Sequence, residues 1–199
     1  MNCARARRRA GFTVLETVIS MALIGLVLTK LTLVMDEARR AHQGESAAMQ
    51  LEDQAMALID RISYAIVGSA RESLDPALLA PFPMAEIRFQ VSLGVEDGKV
   101  VWSDPEKIGL EEETGQVYWG QNVGEPNERR VVWANTVSEM LEDELMNGVD
   151  DNGNELVNEL GLAFVVDDKS VTIRLSLERE VEENKRIQVT KETTVTCRN

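Results

Sequence analysis

Residues 17–35, TVISMALIGLVLTKLTLVM, constrain this chain more than any other stretch. The run holds one charge, Lys30. At about 1.5 Å per residue a helix of this length extends roughly 28 Å, close to the hydrocarbon thickness of a bilayer. Such a segment needs lipid or an assembly core around it. Lys30 can reach an interface on its long stem, so it does not veto insertion. Arg5, Arg7, Arg8 and Arg9 precede the run, and Asp36 and Glu37 follow it. The positive-inside tendency therefore predicts a cytoplasmic N-terminus, with the rest of the chain on the far side.

The residues at the mouth of the run sharpen this. The basic leader ends at Gly11, and Gly11-Phe12-Thr13-Val14-Leu15-Glu16 places one carboxylate just before the apolar segment. A cleaved secretory signal would need small residues after its apolar run, and Thr32-Leu33-Val34-Met35-Asp36 offers none. A plain signal anchor explains the length and the arginines, but not Gly11 and Glu16. A carboxylate near bilayer depth costs about 2–3 kcal/mol and usually implies a partner. Residues 5–35 resemble the class III signal of type IV pilins and of the pilin-like proteins of type II secretion. The resemblance implies that a prepilin peptidase cuts after Gly11 and methylates the new amine of Phe12. It also implies that Glu16, fifth in the mature chain, pairs with the terminal ammonium of a neighbouring subunit.

Downstream the pattern turns amphipathic. No proline interrupts residues 12–73, and Leu51, Ala55, Leu58, Ile62 and Ala65 recur at three- and four-residue steps, widened by Ile59 and Ile66. Glu52, Asp53, Asp60 and Arg61 fall mostly on the other side. One helix from Phe12 to about Gly68, roughly 85 Å long, is expected, ending at Gly68-Ser69 or before Asp75-Pro76.

The period then changes. Pro76, Pro81 and Pro83 predict an extended connector. Ile87, Phe89, Val91 and Leu93 alternate with polar residues as one half-buried strand. Short strands are expected at 99–102, 116–119 and 129–133, with Glu111, Glu112 and Glu113 in a solvated loop. Residues 136–145 predict a short helix, with Val137, Met140 and Leu141 on one face. Residues 162–166 and 171–177 predict a hairpin turning at Asp167-Asp168-Lys169. A polar loop at 178–185 and a last strand at 187–195 complete the reading. The fold class is α+β, a long N-terminal helix packed on an antiparallel sheet. Four segments follow: a leader at 1–11, a membrane or assembly helix at 12–35, its amphipathic continuation at 36–70, and a β-rich domain at 71–199.

One constellation carries site chemistry. In residues 147–159, NGVDDNGNELVNE, the residues Asp150, Asn152 and Asn154 stand at alternate positions, followed by Leu156, Asn158 and Glu159. Calcium takes six to eight oxygens from such loops, including a backbone carbonyl, here that of Leu156. The run resembles the calcium loops of EF-hands and dockerins. Glu155 stands where that pattern has glycine, and Gly161 where it has the bidentate glutamate, so Glu159 is the candidate instead. The same residues also favour a plain Asn/Gly turn.

Charge and residue counts exclude other classes. The net charge of −13 argues against nucleic acid, whose binding rests on Lys and Arg. It would grow with loss of the arginine-rich leader, and a soluble, self-repelling surface is its simplest meaning. His42 is the single histidine, which disfavours a histidine-rich metal centre or a Ser-His-Asp triad. Cys3 and Cys197 are the two cysteines, and cleavage would leave Cys197 alone. No reactive-serine motif or phosphate loop is present, so an enzyme is not expected.

The order of leader, long helix, proline-rich connector, tryptophan-bearing strands and late hairpin resembles the J-type minor pseudopilins of type II secretion. So does the ending Val195-Thr196-Cys197-Arg198-Asn199. That resemblance implies a single-pass inner-membrane protein with its globular part outside the cytoplasm. It implies assembly near the tip of a short filament with other minor and major pseudopilins. A minor pilin of a type IV pilus with a surface-binding role is the alternative.

Overall fold

The computed structural model describes residues 13–75, 83–167, 170–182 and 185–197. The chain forms two compact units, Met1–Gln43 and Gly44–Asn199. One helix, α1 (Val14–Val67), supplies residues to both.

In the first unit α1 is predominantly apolar from Thr17 to Met35, with Lys30 the one charge. Leu15, Val18, Ile19, Met21, Leu23, Ile24, Leu26, Val27, Leu28, Leu31, Leu33, Val34 and Met35 are all more than half exposed. The helix is long and apolar enough to cross a membrane, and none of its most apolar window is buried. The amphipathic part lies in the second unit. Leu51, Ala55, Leu58, Ile59, Ile62 and Ile66 are buried there, and Ala65 packs against them. Glu52, Asp53, Asp60 and Arg61 are exposed, as expected of the opposite face. α1 stops one residue before Gly68, and a 3-10 turn follows at Arg71–Ser73. Pro76 and Pro81 of the expected connector lie outside the described residues.

The buried stripe packs against antiparallel strands. β1 (Glu86–Phe89), β2 (Ser92–Glu96), β3 (Lys99–Trp102), β4 (Glu106–Glu111), β5 (Gln116–Gln121) and β6 (Arg129–Ala134) come first. β7 (Leu162–Asp167), β8 (Ser170–Glu182) and β9 (Lys185–Thr196) follow. One sheet has the order β1-β4-β5-β6, another β7-β8-β9, and β2 pairs with β3 as a separate hairpin. Met84 and Phe164 join the two larger sheets by exchanging backbone hydrogen bonds of 3.0 and 2.7 Å. The core joins the helical stripe to Ile87, Phe89, Ile108, Val117, Phe164, Ile173, Leu175 and Leu177. The layout is therefore α+β, a long N-terminal helix on antiparallel sheets.

Four sequence expectations need correction. Residues 87–93 are not one strand. Inward alternation ends at Phe89, and the chain passes to the β2–β3 hairpin, closed by Asp97-Gly98 with φ of 50° and 76°. Such a pair favours the tight turn of a two-residue hairpin. β4 was not expected, because Gly109 and flanking charges dilute the signal of Ile108 and Leu110. Glu111 consequently ends a strand rather than lying in a loop. Residues 136–145 form no helix. Val137 bridges Leu177 and Met140 bridges Leu160, so their helical spacing serves extended pairing instead. Finally, β8 runs on through the supposed loop to Glu182 and pairs with β9 as far as Lys185. Polar residues on both faces hide that extension from hydropathy. The hairpin at 162–177 has the expected alternation, with Leu162 opposite Leu175 and Asp167 opposite Ser170. Asp168 and Lys169 of its turn lie outside the described residues.

Candidate functional site

Two places carry the residues singled out by the sequence. At the start of α1, Gly11 and Phe12 lie outside the described residues. Glu16 sits in the first turn of the helix. The Thr13 N–H donates to Glu16 Oε2 at 3.4 Å, and the Glu16 N–H donates to Thr13 Oγ1 at 3.3 Å. This reciprocal pair is a capping box, and the spacing Thr-x-x-Glu announces it in the sequence. Glu16 also complements the positive end of the helix dipole. Within the apolar stretch, Thr29 donates to the Gly25 carbonyl at 2.8 Å and Thr32 to the Thr29 carbonyl at 2.8 Å. Hydroxyls satisfied on their own helix can enter lipid at small cost.

The second place is the loop between β6 and β7. Asp150 organises its own turn. Its carboxylate accepts the Glu155 N–H at 2.8 Å, the Gly153 N–H at 2.6 Å and the Asn154 N–H at 3.1 Å. These bonds, the one from Glu155 foremost, hold its pKa below the ordinary 3.8 against the opposing effect of burial. Asn158 Oδ1 accepts the Gly148 N–H at 2.8 Å, and Asn154 Oδ1 accepts the Leu156 N–H at 2.9 Å. Glu155 and Asn158 have positive φ, 69° and 55°, which marks a tightly wound loop.

Glu159 lies at the base of this loop with no exposed surface. Its Oε1 accepts Arg174 Nη1 of β8 at 2.6 Å. Its Oε2 accepts the side-chain amides of Asn152, at 3.2 Å, and Asn154. Burial works against the Arg174 charge, but bonds to Glu159 and Glu192 outweigh it and raise its pKa above the ordinary arginine value. Glu144 is the second buried carboxylate, at 3% exposure. Its Oε1 accepts the Asn158 N–H at 2.8 Å, while Oε2 is buried with no hydrogen-bond partner. Asn152 Oδ1 is buried and unpartnered as well. A buried acceptor without a donor costs about 1–3 kcal/mol.

Comparison of the chain with protein-family models, with curated proteins and with solved structures returned no match. Among the described residues, no group of three or more His, Cys, Asp or Glu side chains is placed to hold a metal ion. Of the six expected calcium ligands, the fold brings the side chains of Asn152, Asn154 and Glu159 together. Asp150 accepts loop N–H groups through both carboxylate oxygens, and Asn158 Oδ1 accepts that of Gly148. Sequence reasoning passed over Glu144 and Arg174. Glu144 stood in a segment read as helix. Arg174 is a polar residue in a strand whose apolar neighbours took the attention.

Proposed function

We propose that this chain is a minor pilin-like subunit, a pseudopilin, that is cut after Gly11 and assembled through its apolar helix into a type II secretion pseudopilus, near the tip. One observation supports this reading above the rest. A single unbroken helix carries a predominantly apolar segment with nothing covering it and, further on, a one-sided stripe buried under a sheet. An anchor needs only the first, and a soluble domain needs only the second. A filament subunit needs both in one element, because the segment that leaves lipid must enter a core made by its neighbours.

In this reading the arginines hold the N-terminus in the cytoplasm until the peptidase acts. The globular unit then lies outside the inner membrane. Glu16 is the assembly residue. In lipid its charge is costly, and the free amine of Phe12 on the next subunit offsets that cost and fixes the register. The globular unit contacts other pseudopilins.

Intact mass of the chain co-expressed with a prepilin peptidase tests the processing. A product that begins at a methylated Phe12 is expected, and any other start contradicts the proposal. Glu16→Gln separates assembly from helix capping, since Gln also closes a capping box. The variant should insert and be cleaved normally yet fail to join the filament. Normal incorporation would remove the role assigned to the charge.

A further inference from the structure

The two oxygens left without donors belong to one connected loop. Glu144 holds the N–H of Asn158 through Oε1 and leaves Oε2 empty-handed. Asn158 is followed by Glu159, whose Oε2 takes the amide of Asn152, and the Oδ1 of that same amide is the second orphan. The Glu159 carbonyl in turn accepts the Leu141 N–H at 3.0 Å, which ties residues 141–144 to the base of the loop. A buried carboxylate oxygen and a buried amide oxygen, both acceptors and both unanswered, leave two positions that only a donor or a cation can satisfy. Beside them Glu159 brings a second full charge, one oxygen of which is already neutralised by Arg174.

We propose that the loop at 144–159 binds one calcium ion, with Glu144 and Glu159 as charged ligands and Asn152 as a neutral one. This set differs from the alternating 150/152/154 pattern of the sequence. Asp150 shapes the loop by gathering three backbone N–H groups rather than facing the ion. Rotating the Asn152 amide half a turn gives up its 3.2 Å bond to Glu159 Oε2 and presents Oδ1 there instead, an exchange that only a cation between the two oxygens makes favourable. Hard oxygens in an irregular, adaptable loop suit calcium better than magnesium, which demands a strict octahedron and dehydrates reluctantly. The inference depends only on the second unit and stands or falls independently of filament assembly.

The full chain in detergent, stripped with EDTA, is titrated with calcium chloride by calorimetry, and its melting is followed with and without the ion. One calcium per chain and a rise in Tm are expected, with a smaller response to magnesium. Glu144→Gln should weaken binding about tenfold or more, since affinity follows ligand charge. It keeps the acceptor for Asn158 and removes an unpaired charge, so in EDTA it should melt no lower than the wild type. In calcium the order should reverse. Asn152→Ala should also weaken binding, whereas the exposed Glu142→Gln should not. Absence of binding at millimolar calcium overturns the proposal. So does a Glu144→Gln variant that binds as the wild type does, or one that melts lower in EDTA and calcium alike.

Discussion

Arg174→Met is the substitution whose cost the structure defines best. Among the described residues the guanidinium is the one cation that meets Glu159, at 2.6 Å, and Glu159 has no exposed surface. Removing one partner of a buried pair costs about 3–5 kcal/mol, because the other charge is left unpaired. Glu159 keeps the amides of Asn152 and Asn154, so the low end, about 3 kcal/mol, applies here. That is more than a hundredfold in the folding equilibrium, or roughly 6–12 °C in Tm for a domain of this size. The second partner of Arg174, Glu192, is 53% exposed on its side chain. Glu192→Ala should therefore cost well under about 1 kcal/mol. Trp102, Trp119 and Trp133 all lie in the second unit, so urea unfolding in a chelator can be followed by tryptophan fluorescence. The double variant Glu159→Gln/Arg174→Met should lose less than the two single losses combined, by about 2 kcal/mol. A deficit under about 1 kcal/mol, or strict additivity in the cycle, would refute the argument that this pair is buried and coupled.

Two further outcomes follow from the same structure. The Glu86 carboxylate is pushed up by burial, but Lys107, Tyr118 and Arg88 together bring it below its ordinary 4.5. Its contribution to stability is then complete above pH 4.5 and is lost as the pH falls through the depressed folded value. Glu86→Gln should flatten the acid limb of a stability-versus-pH curve, and an unchanged limb would contradict this. Among glycines, a Cβ at Gly161 would stand 1.9 Å from the Ser138 carbonyl oxygen, whereas one at Gly44 meets nothing within 4 Å. Gly161→Ala should prevent the second unit from folding, while Gly44→Ala should stabilise the helix by about 0.5–1 kcal/mol, both read by circular dichroism.

Much of the architecture is written in periodicity. The stripe from Leu51 to Ile66 and the alternation from Val171 to Leu177 each repeat an apolar residue at the period of their own structure, so helix and hairpin are legible. β4 and the far half of β8 are not, because their backbone pairing is decided by neighbours remote in sequence, and polar side chains do not report it. The stretch from Val137 to Leu141 misleads for a related reason. Three apolar residues at helical spacing are also what an extended chain needs when it must touch Leu177 and Leu160 in turn. The acidic loop was legible as a candidate from its Asn and Gly residues. Its base was not, since Glu144 and Arg174 reach it from 15 residues before and after Glu159.

The pairing of β8 with β9 has one more consequence. Among the described residues β9 is the last strand of its sheet, and its outer backbone rim is open to another chain. Long flat rims of this kind recruit strays into cross-β stacks. Lys185, Arg186, Lys191 and Glu192 are spaced along this one, interrupting any apolar stretch with charge. A protein crowded against its own copies in a thin layer would meet neighbouring edges constantly, and these four side chains make the strand a poor template for them.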